Sequence, residues 1–101
     1  MRHTVTLDKI QIAAPTVHMN GTSAERLIED YQAAASVVET AFNALCAAAP
    51  NARDYYVEGP EAFGQAQREH EARAAALRKV FLELEALVLD VDSQRQERER
   101  R

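Results

Sequence analysis

Two helix-periodic segments, separated by a stretch that no helix can cross, constrain this chain more than any other feature. In the first, apolar residues recur at alternating spacings of four and three from Leu27 to Ala48. Pro50 ends this segment, because the residue before a proline is pushed out of the α region. Gly59-Pro60 opens the second, with proline at its tolerated first helical position. The pattern predicts helices over about residues 22–49 and 60–92.

The connection between these helices, PNARDYYVEG, is short, so we expect an antiparallel hairpin over residues 20–92. Residues 1–19 form a short extended N-terminal arm, in which TVTLDKIQI alternates like a strand but slips phase at Asp8-Lys9, so that one bulged strand or two very short strands would fit. Because a lone strand cannot satisfy its own backbone, its expected partner is the same segment of another subunit. Residues 93–101 form a charged C-terminal tail, expected to be a solvated helix end or, alternatively, an anion-binding segment.

The second helix carries more apolar surface than one neighbouring helix can cover. Successive residues are turned by about 100°, so Leu82 and Leu89 fall nearly opposite the stripe that contains Leu84 and Val91. A two-helix unit of 101 residues is also short of core. We therefore predict an all-α fold, an antiparallel two-helix hairpin with a short extended N-terminal arm, assembled as a homo-oligomer.

Composition and motifs narrow the function. A net charge of −4 argues against general nucleic-acid binding, and no apolar run approaches the ~20 residues that cross a membrane. The single cysteine, Cys46, forms no internal disulfide and, with no hydrophobic leader, indicates a cytoplasmic protein. The three histidines are scattered, and phosphate-binding loops and nucleophile elbows are lacking. We expect a protein that is not an enzyme and needs no metal or cofactor.

The first candidate site is the start of the first helix, in VHMNGTSAERL. Asn20-Gly21 is a turn dipeptide, and Thr22 to Glu25 is typical of a capping box. Unpaired amides at a helix start attract anions, and Gly21 would let a ligand approach the backbone. Alternatively the stretch is only a well-made cap, with Thr22 occupied by its own helix. The candidate ligand-binding residues are His18, Asn20, Gly21, Thr22 and Ser23.

The connection between the helices is the second candidate site. Arg53 offers a guanidinium that binds phosphate in a bidentate manner, and Tyr55 and Tyr56 offer faces on which a base can stack. Asn51 adds a polar side chain. Alternatively these residues cap the helix ends and plug the end of the hairpin.

The third candidate is the pair His70 and Arg73, which helical spacing places toward the apolar face of the second helix. In a hairpin closed at residues 50–59, the pair lies across from about residue 39. A Glu39–Arg73 ion pair is therefore the structural explanation. A phosphate or nucleobase site in a cleft between subunits is the functional one.

The first two candidate sites lie at opposite ends of the first helix, roughly 40 Å apart. They cannot share a ligand within one protomer. A composite site therefore requires that neighbouring subunits run antiparallel, so that the helix start of one chain meets the hairpin end of another.

The combination of HMNGTS, AAAPNARDYY and EHEAR resembles short proteins encoded by tailed phages and prophages, over about residues 16–90. Small oligomeric helical-hairpin proteins of phages include anti-defence sponges, which sequester cyclic-nucleotide messengers of bacterial immunity without cleaving them. The resemblance implies a homo-oligomer that holds a small cyclic nucleotide at subunit interfaces in the cytoplasm of an infected bacterial host. The alternatives are a protein–protein inhibitor of a host defence enzyme, and a phage structural or assembly component.

Overall fold

The computed structural model describes residues 2–101 and is mostly helical. Helix α1 spans Ala24–Ala47 and helix α2 spans Pro60–Glu99. Two 3₁₀ turns, Ala52–Asp54 and Tyr56–Glu58, connect them. One groove between the helices is lined near one end by Gln32 and Leu89, and further along by Asn43 and Arg78. The helices therefore run in opposite directions, and the predicted antiparallel two-helix hairpin is confirmed.

The N-terminal arm is a β-hairpin within the chain. Strand β1 (Thr4–Leu7) pairs antiparallel with strand β2 (Ile10–Ala13). Asp8 and Lys9 make the turn, with φ angles of 51° and 69°, as a two-residue hairpin turn requires. The expected pairing with another subunit was therefore wrong, and the all-α class is corrected to a helical hairpin with a small sheet. The phase slip in the sequence was the hairpin turn itself.

The β-hairpin packs against α2, on the side where the sequence predicted surplus apolar residues. Leu7 and Ile12 line one open space together with Ala75 and Leu82. Leu82 therefore finds its cover within the chain, because the hairpin lies along it. Leu89, the other predicted surplus leucine, is 70% exposed. The apolar surface of α2 that stays uncovered is thus smaller than the sequence implied, but part of it remains exposed.

The buried core is thin. Of residues 2–101, four apolar ones are buried, and Val91 alone among them is a large, fully buried side chain. The chain exposes 7685 Å², whereas a folded monomer of 11.3 kDa exposes about 5,700 Å². Its radius of gyration is 19.1 Å, against about 13 Å for a compact domain of this length. The protomer is a rod that leaves much apolar surface uncovered.

Helix α2 continues to Glu99, beyond the end that the sequence predicted at residue 92. Arg95 stabilises this last part by bonding Asp92 at 2.7 Å and Glu99 at 3.0 Å on its own helix. The hydrogen bond and charge of Asp92 raise the pKa of Arg95 above its ordinary value. Within residues 2–101, no helix has the length of apolar surface that a bilayer crossing needs.

Candidate functional site

The start of α1 is held against the end of α2 by the N-terminal segment. The Nε2 atom of His3 lies 2.8 Å from Oδ2 of Asp90. The backbone amide of Val17 donates to Oε1 of Gln94 at 2.8 Å, and Nε2 of Gln94 donates to the carbonyl of Pro15 at 2.9 Å. These bonds join residues 77 to 87 positions apart in sequence. They fix the chain just before His18 beside the last turns of α2.

The turn that follows is closed by a bond from the amide of Gly21 to the carbonyl of His18, at 3.1 Å. The imidazole of His18 lies against Gly21, since a Cβ atom added there would stand 2.8 Å from Nε2 of the ring. The expected approach of a ligand to the backbone of Gly21 meets the protein's own histidine instead. A side chain at this position would have to displace the ring of His18.

The cap of α1 is Ser23, not Thr22 as the sequence predicted. Oγ of Ser23 accepts from the amide of Arg26 at 3.1 Å, and Ser23 has the extended backbone of a capping residue. The helix therefore begins one residue later, at Ala24. The capping hydroxyl belongs to Ser23, and Thr22 is exposed beside the turn together with Asn20.

An open cleft of about 400 Å³, which we call the start cleft, lies between this turn, the first turn of α1 and the last turns of α2. Its polar lining residues are His18, Ser23, Glu25, Arg95, Arg98 and Glu99. Arg95 is engaged by Asp92 and Glu99. Among residues 2–101, no carboxylate lies within ion-pair distance of Arg98. The cleft therefore offers a guanidinium and the positive end of a helix to the same space.

Arg95 and Arg98 were absent from the ligand-binding residues that the sequence predicted. The alternative of an anion-binding tail was the one signal that pointed to them. Spacing alone could not locate them, because the tail reaches the start of α1 only when α2 continues as a helix past residue 92.

The hairpin tip, residues 51–59, is built by local contacts. Oδ1 of Asn51 accepts from the amide of Arg53 at 3.1 Å, so this side chain caps its own turn. Tyr55 packs near Phe63, with ring centroids 6.2 Å apart. Tyr56 is 85% exposed, and Arg53 is exposed as well. The tip therefore presents one free aromatic face and one guanidinium, while Asn51 and Tyr55 are used by the fold.

The predicted Glu39–Arg73 ion pair is not formed. Nη2 of Arg73 lies 3.9 Å from Oε1 of Glu69 on the same helix, whereas Glu39 lines a groove with Arg78 and Phe81. The link between the helices packs along the first turns of α2. As a result, each α1 residue lies beside an α2 residue that is further along the chain than it would be if the link were symmetric. His70 is half-buried and Arg73 is exposed.

The structure brings His18, Gly21 and Ser23 together in the start cleft. It does not join them to the hairpin tip in the same protomer. Helix α1 has 24 residues, which separates the two by roughly 36 Å. A ligand that touches both would have to bridge two chains.

No group of three histidine, cysteine, aspartate or glutamate side chains within residues 2–101 is placed to hold a metal ion. No protein-family model, no curated protein and no solved structure matches this chain.

Proposed function

We propose that this protein sequesters a small anionic nucleotide, without catalysis, in crevices between the subunits of a homo-oligomer. The observation that carries the proposal is the start cleft, where Arg98 and the first turn of α1 border one space of about 400 Å³. Charge-assisted donors and helix-start amides are the groups that bind phosphate in proteins. A cleft of this volume holds a phosphate with part of its nucleoside rather than a bare ion.

Each part of the proposed site has a stated role. The backbone amides of Thr22 and Ser23 and the guanidinium of Arg98 bind one phosphate, whereas the amide of Gly21 is occupied by the carbonyl of His18. The hydroxyl of Thr22, which is not occupied as a cap, is an additional donor. The hairpin tip of a neighbouring subunit supplies Arg53 for a second phosphate and Tyr56 for stacking on a base. A ligand with two phosphates and at least one base fits these groups, which describes a cyclic dinucleotide.

The resemblance to phage proteins supports a biological setting for this binding. We propose that the ligand is a cyclic-nucleotide messenger of bacterial immunity, and that the protein acts in the cytoplasm of an infected host. Sequestration requires tight binding and no turnover. The absence of a catalytic role is part of the proposal.

The proposal is tested by thermal unfolding with a panel of cyclic di- and trinucleotides and cyclic ADP-ribose variants. A ligand at a hundredfold excess over its Kd raises the melting temperature by roughly 10 °C in a domain of this size. Arg98→Ala and Arg53→Ala should each remove most of that shift, and Lys79→Ala, at an exposed lysine outside both groups, should not. If no panel member raises the melting temperature, the proposal fails.

A second candidate function has one specific observation in its favour. At the hairpin tip, Tyr56 and Val57 are 85% and 93% exposed, and exposed apolar pairs of this kind mark protein contacts. The chain would then inhibit a host defence enzyme by binding it through the tip. Val57→Asp should abolish capture of such a protein and leave nucleotide binding unchanged, whereas Arg98→Ala should do the reverse.

A further inference from the structure

We propose that a second copy of this chain docks antiparallel on the groove between α1 and α2, with Arg78 of each copy facing Glu85 of the other. The groove, which we call the helix groove, has a volume of about 530 Å³. Its apolar lining comes from Ala35, Phe81, Val88 and Leu89. Glu85 lies on its rim, and a continuation of the groove is lined by Arg78.

The first argument is the exposed area. The protomer exposes 7685 Å², which is roughly 2,000 Å² more than a folded monomer of its mass. A standard interface removes only about 800 Å² from each partner. The excess exposed area of the protomer is therefore larger than the area that a second copy on the helix groove would bury. Leu89, at 70% exposure the most exposed apolar residue of α2, lies in this groove.

The second argument is self-complementary charge. Arg78 and Glu85 are seven residues apart, two turns of α2, and so lie on the same side of the helix. Neither forms an ion pair with another residue in the described range 2–101. In an antiparallel pair of α2 helices, a two-fold axis between Phe81 and Leu82 places Arg78 of each copy opposite Glu85 of the other copy. An isologous interface needs this kind of self-matching pattern.

The same register matches the sizes of the remaining side chains. It places Leu89 of one copy opposite Ala74 of the other, so a large side chain meets a small one. It also places Asp92 near Glu71 at the rim. The charge of Asp92 is already balanced by Arg95, which lies 2.7 Å away on the same helix. Glu39 also lines the helix groove and, with Arg78, its continuation, so this carboxylate borders the same charged contact.

This register has a consequence that rests on the proposed function. It places Gln67 of one copy opposite Gln96 of the other, beside the start cleft of that second copy. The hairpin tip of the first copy then lies roughly 10 Å further along the axis. A cyclic dinucleotide spans such a distance. Dimerisation through the helix groove would thus assemble the composite site that a single chain lacks.

The experiment is sedimentation equilibrium of the full-length protein without ligand, from micromolar to hundred-micromolar concentrations. We expect a dimer or an assembly of dimers. Arg78→Glu and Glu85→Arg each place like charges opposite one another twice per dimer. Each should raise the dissociation constant of the dimer roughly tenfold or more. The double variant Arg78→Glu/Glu85→Arg restores the opposite charges and should return the dissociation constant to within about threefold of the original.

The matched control is Lys79→Glu, an exposed charge reversal on the β-hairpin side of the same helix, outside the helix groove, which should leave association unchanged. Circular dichroism reports helix content and so identifies a variant that fails to fold. If one single variant fails to fold, the other single variant and the double variant still test the proposed interface. A wild-type protein that sediments as a monomer overturns the proposal. So do single variants that dimerise normally, and a double variant that is not rescued. Because no ligand is present, failure here is distinguishable from failure of nucleotide binding.

Discussion

The two ends of the helical hairpin are built in different ways. At the start end, residues far apart in sequence are joined by side-chain bonds, including those of Gln94 to Val17 and Pro15. The one large, fully buried side chain, Val91, belongs to the same end of α2. At the hairpin tip, the hydrogen bonds join near neighbours, as between Asn51 and Arg53. There Tyr56 and Val57 are almost fully exposed.

The difference shows which end is pre-organised. Long-range bonds hold the segment before His18 beside the last turns of α2 before any ligand arrives, and such pre-organisation of the backbone lowers the cost of binding. The tip lacks comparable support within its own chain. We therefore propose that the phosphate contacts lie at the start end, and that a neighbouring subunit completes the site with its tip.

The largest expected effect on stability comes from comparing two valines, one at each end of the hairpin. Val91→Ala removes two methyl groups from the fully buried site and should lower the free energy of unfolding by about 2 to 3 kcal/mol. Val57→Ala, at 93% exposure, should change it by less than about 0.5 kcal/mol. Urea unfolding of both variants measures these two changes in the free energy of unfolding. Equal losses at the two sites would contradict the difference between the two ends.

The bonds of Gln94 provide a second, smaller test. Gln94→Ala leaves the amide of Val17 and the carbonyl of Pro15 without their partner, at a cost of about 2 kcal/mol. Gln65→Ala, nearer the tip, loses only an exposed bond to Glu69 four residues on and should cost less than about 0.5 kcal/mol. Hydrogen exchange should also accelerate at Val17 in the first variant. An unchanged exchange rate there would mean that Gln94 does not hold the N-terminal segment.

The smallest predicted effect separates the cap from its neighbour. Ser23→Ala removes the hydroxyl that accepts from Arg26 and should cost about 1 kcal/mol. Thr22→Ala should be neutral to within about 0.5 kcal/mol, since this exposed side chain is not the cap. Both losses of stability are measured by thermal unfolding. A larger loss for Thr22→Ala than for Ser23→Ala would indicate that Thr22 is the capping residue.

Sequence periodicity was sufficient for the helices and insufficient for the strands. The breaks at Pro50 and Gly59-Pro60 placed both helices correctly because proline acts through local sterics. Two very short strands were one of the alternatives, but their pairing as a β-hairpin was missed because the turn is Asp8-Lys9, and lysine in a left-handed conformation is not a turn signal. In α1 the sequence predicted Ala34, Ala35 and Ala41 on the apolar stripe; Ala35 is buried, whereas Ala34 and Ala41 are exposed.

The start cleft was half predictable. His18 and the helix start were found from the turn and cap residues, which are local signals. The arginines of α2 were not assigned, because their distance from the start of α1 depends on how far the link shifts the two helices. The same shift removed the expected Glu39–Arg73 pair. The link also packs on α2 through Tyr55, whose ring lies 6.2 Å from that of Phe63, and that contact has no signature in the sequence.

The most direct test of the central claim is a ¹H–¹⁵N NMR titration of the protein with the cyclic dinucleotides of the panel. The account predicts saturable shifts of the amides from Gly21 to Arg26 and of the side-chain Nε–H of Arg98, together with shifts at Arg53 and Tyr56. It also predicts that Arg98→Ala abolishes them all. Amides of the start cleft that stay unchanged while every dinucleotide reaches millimolar concentration would contradict the claim that this end captures an anion.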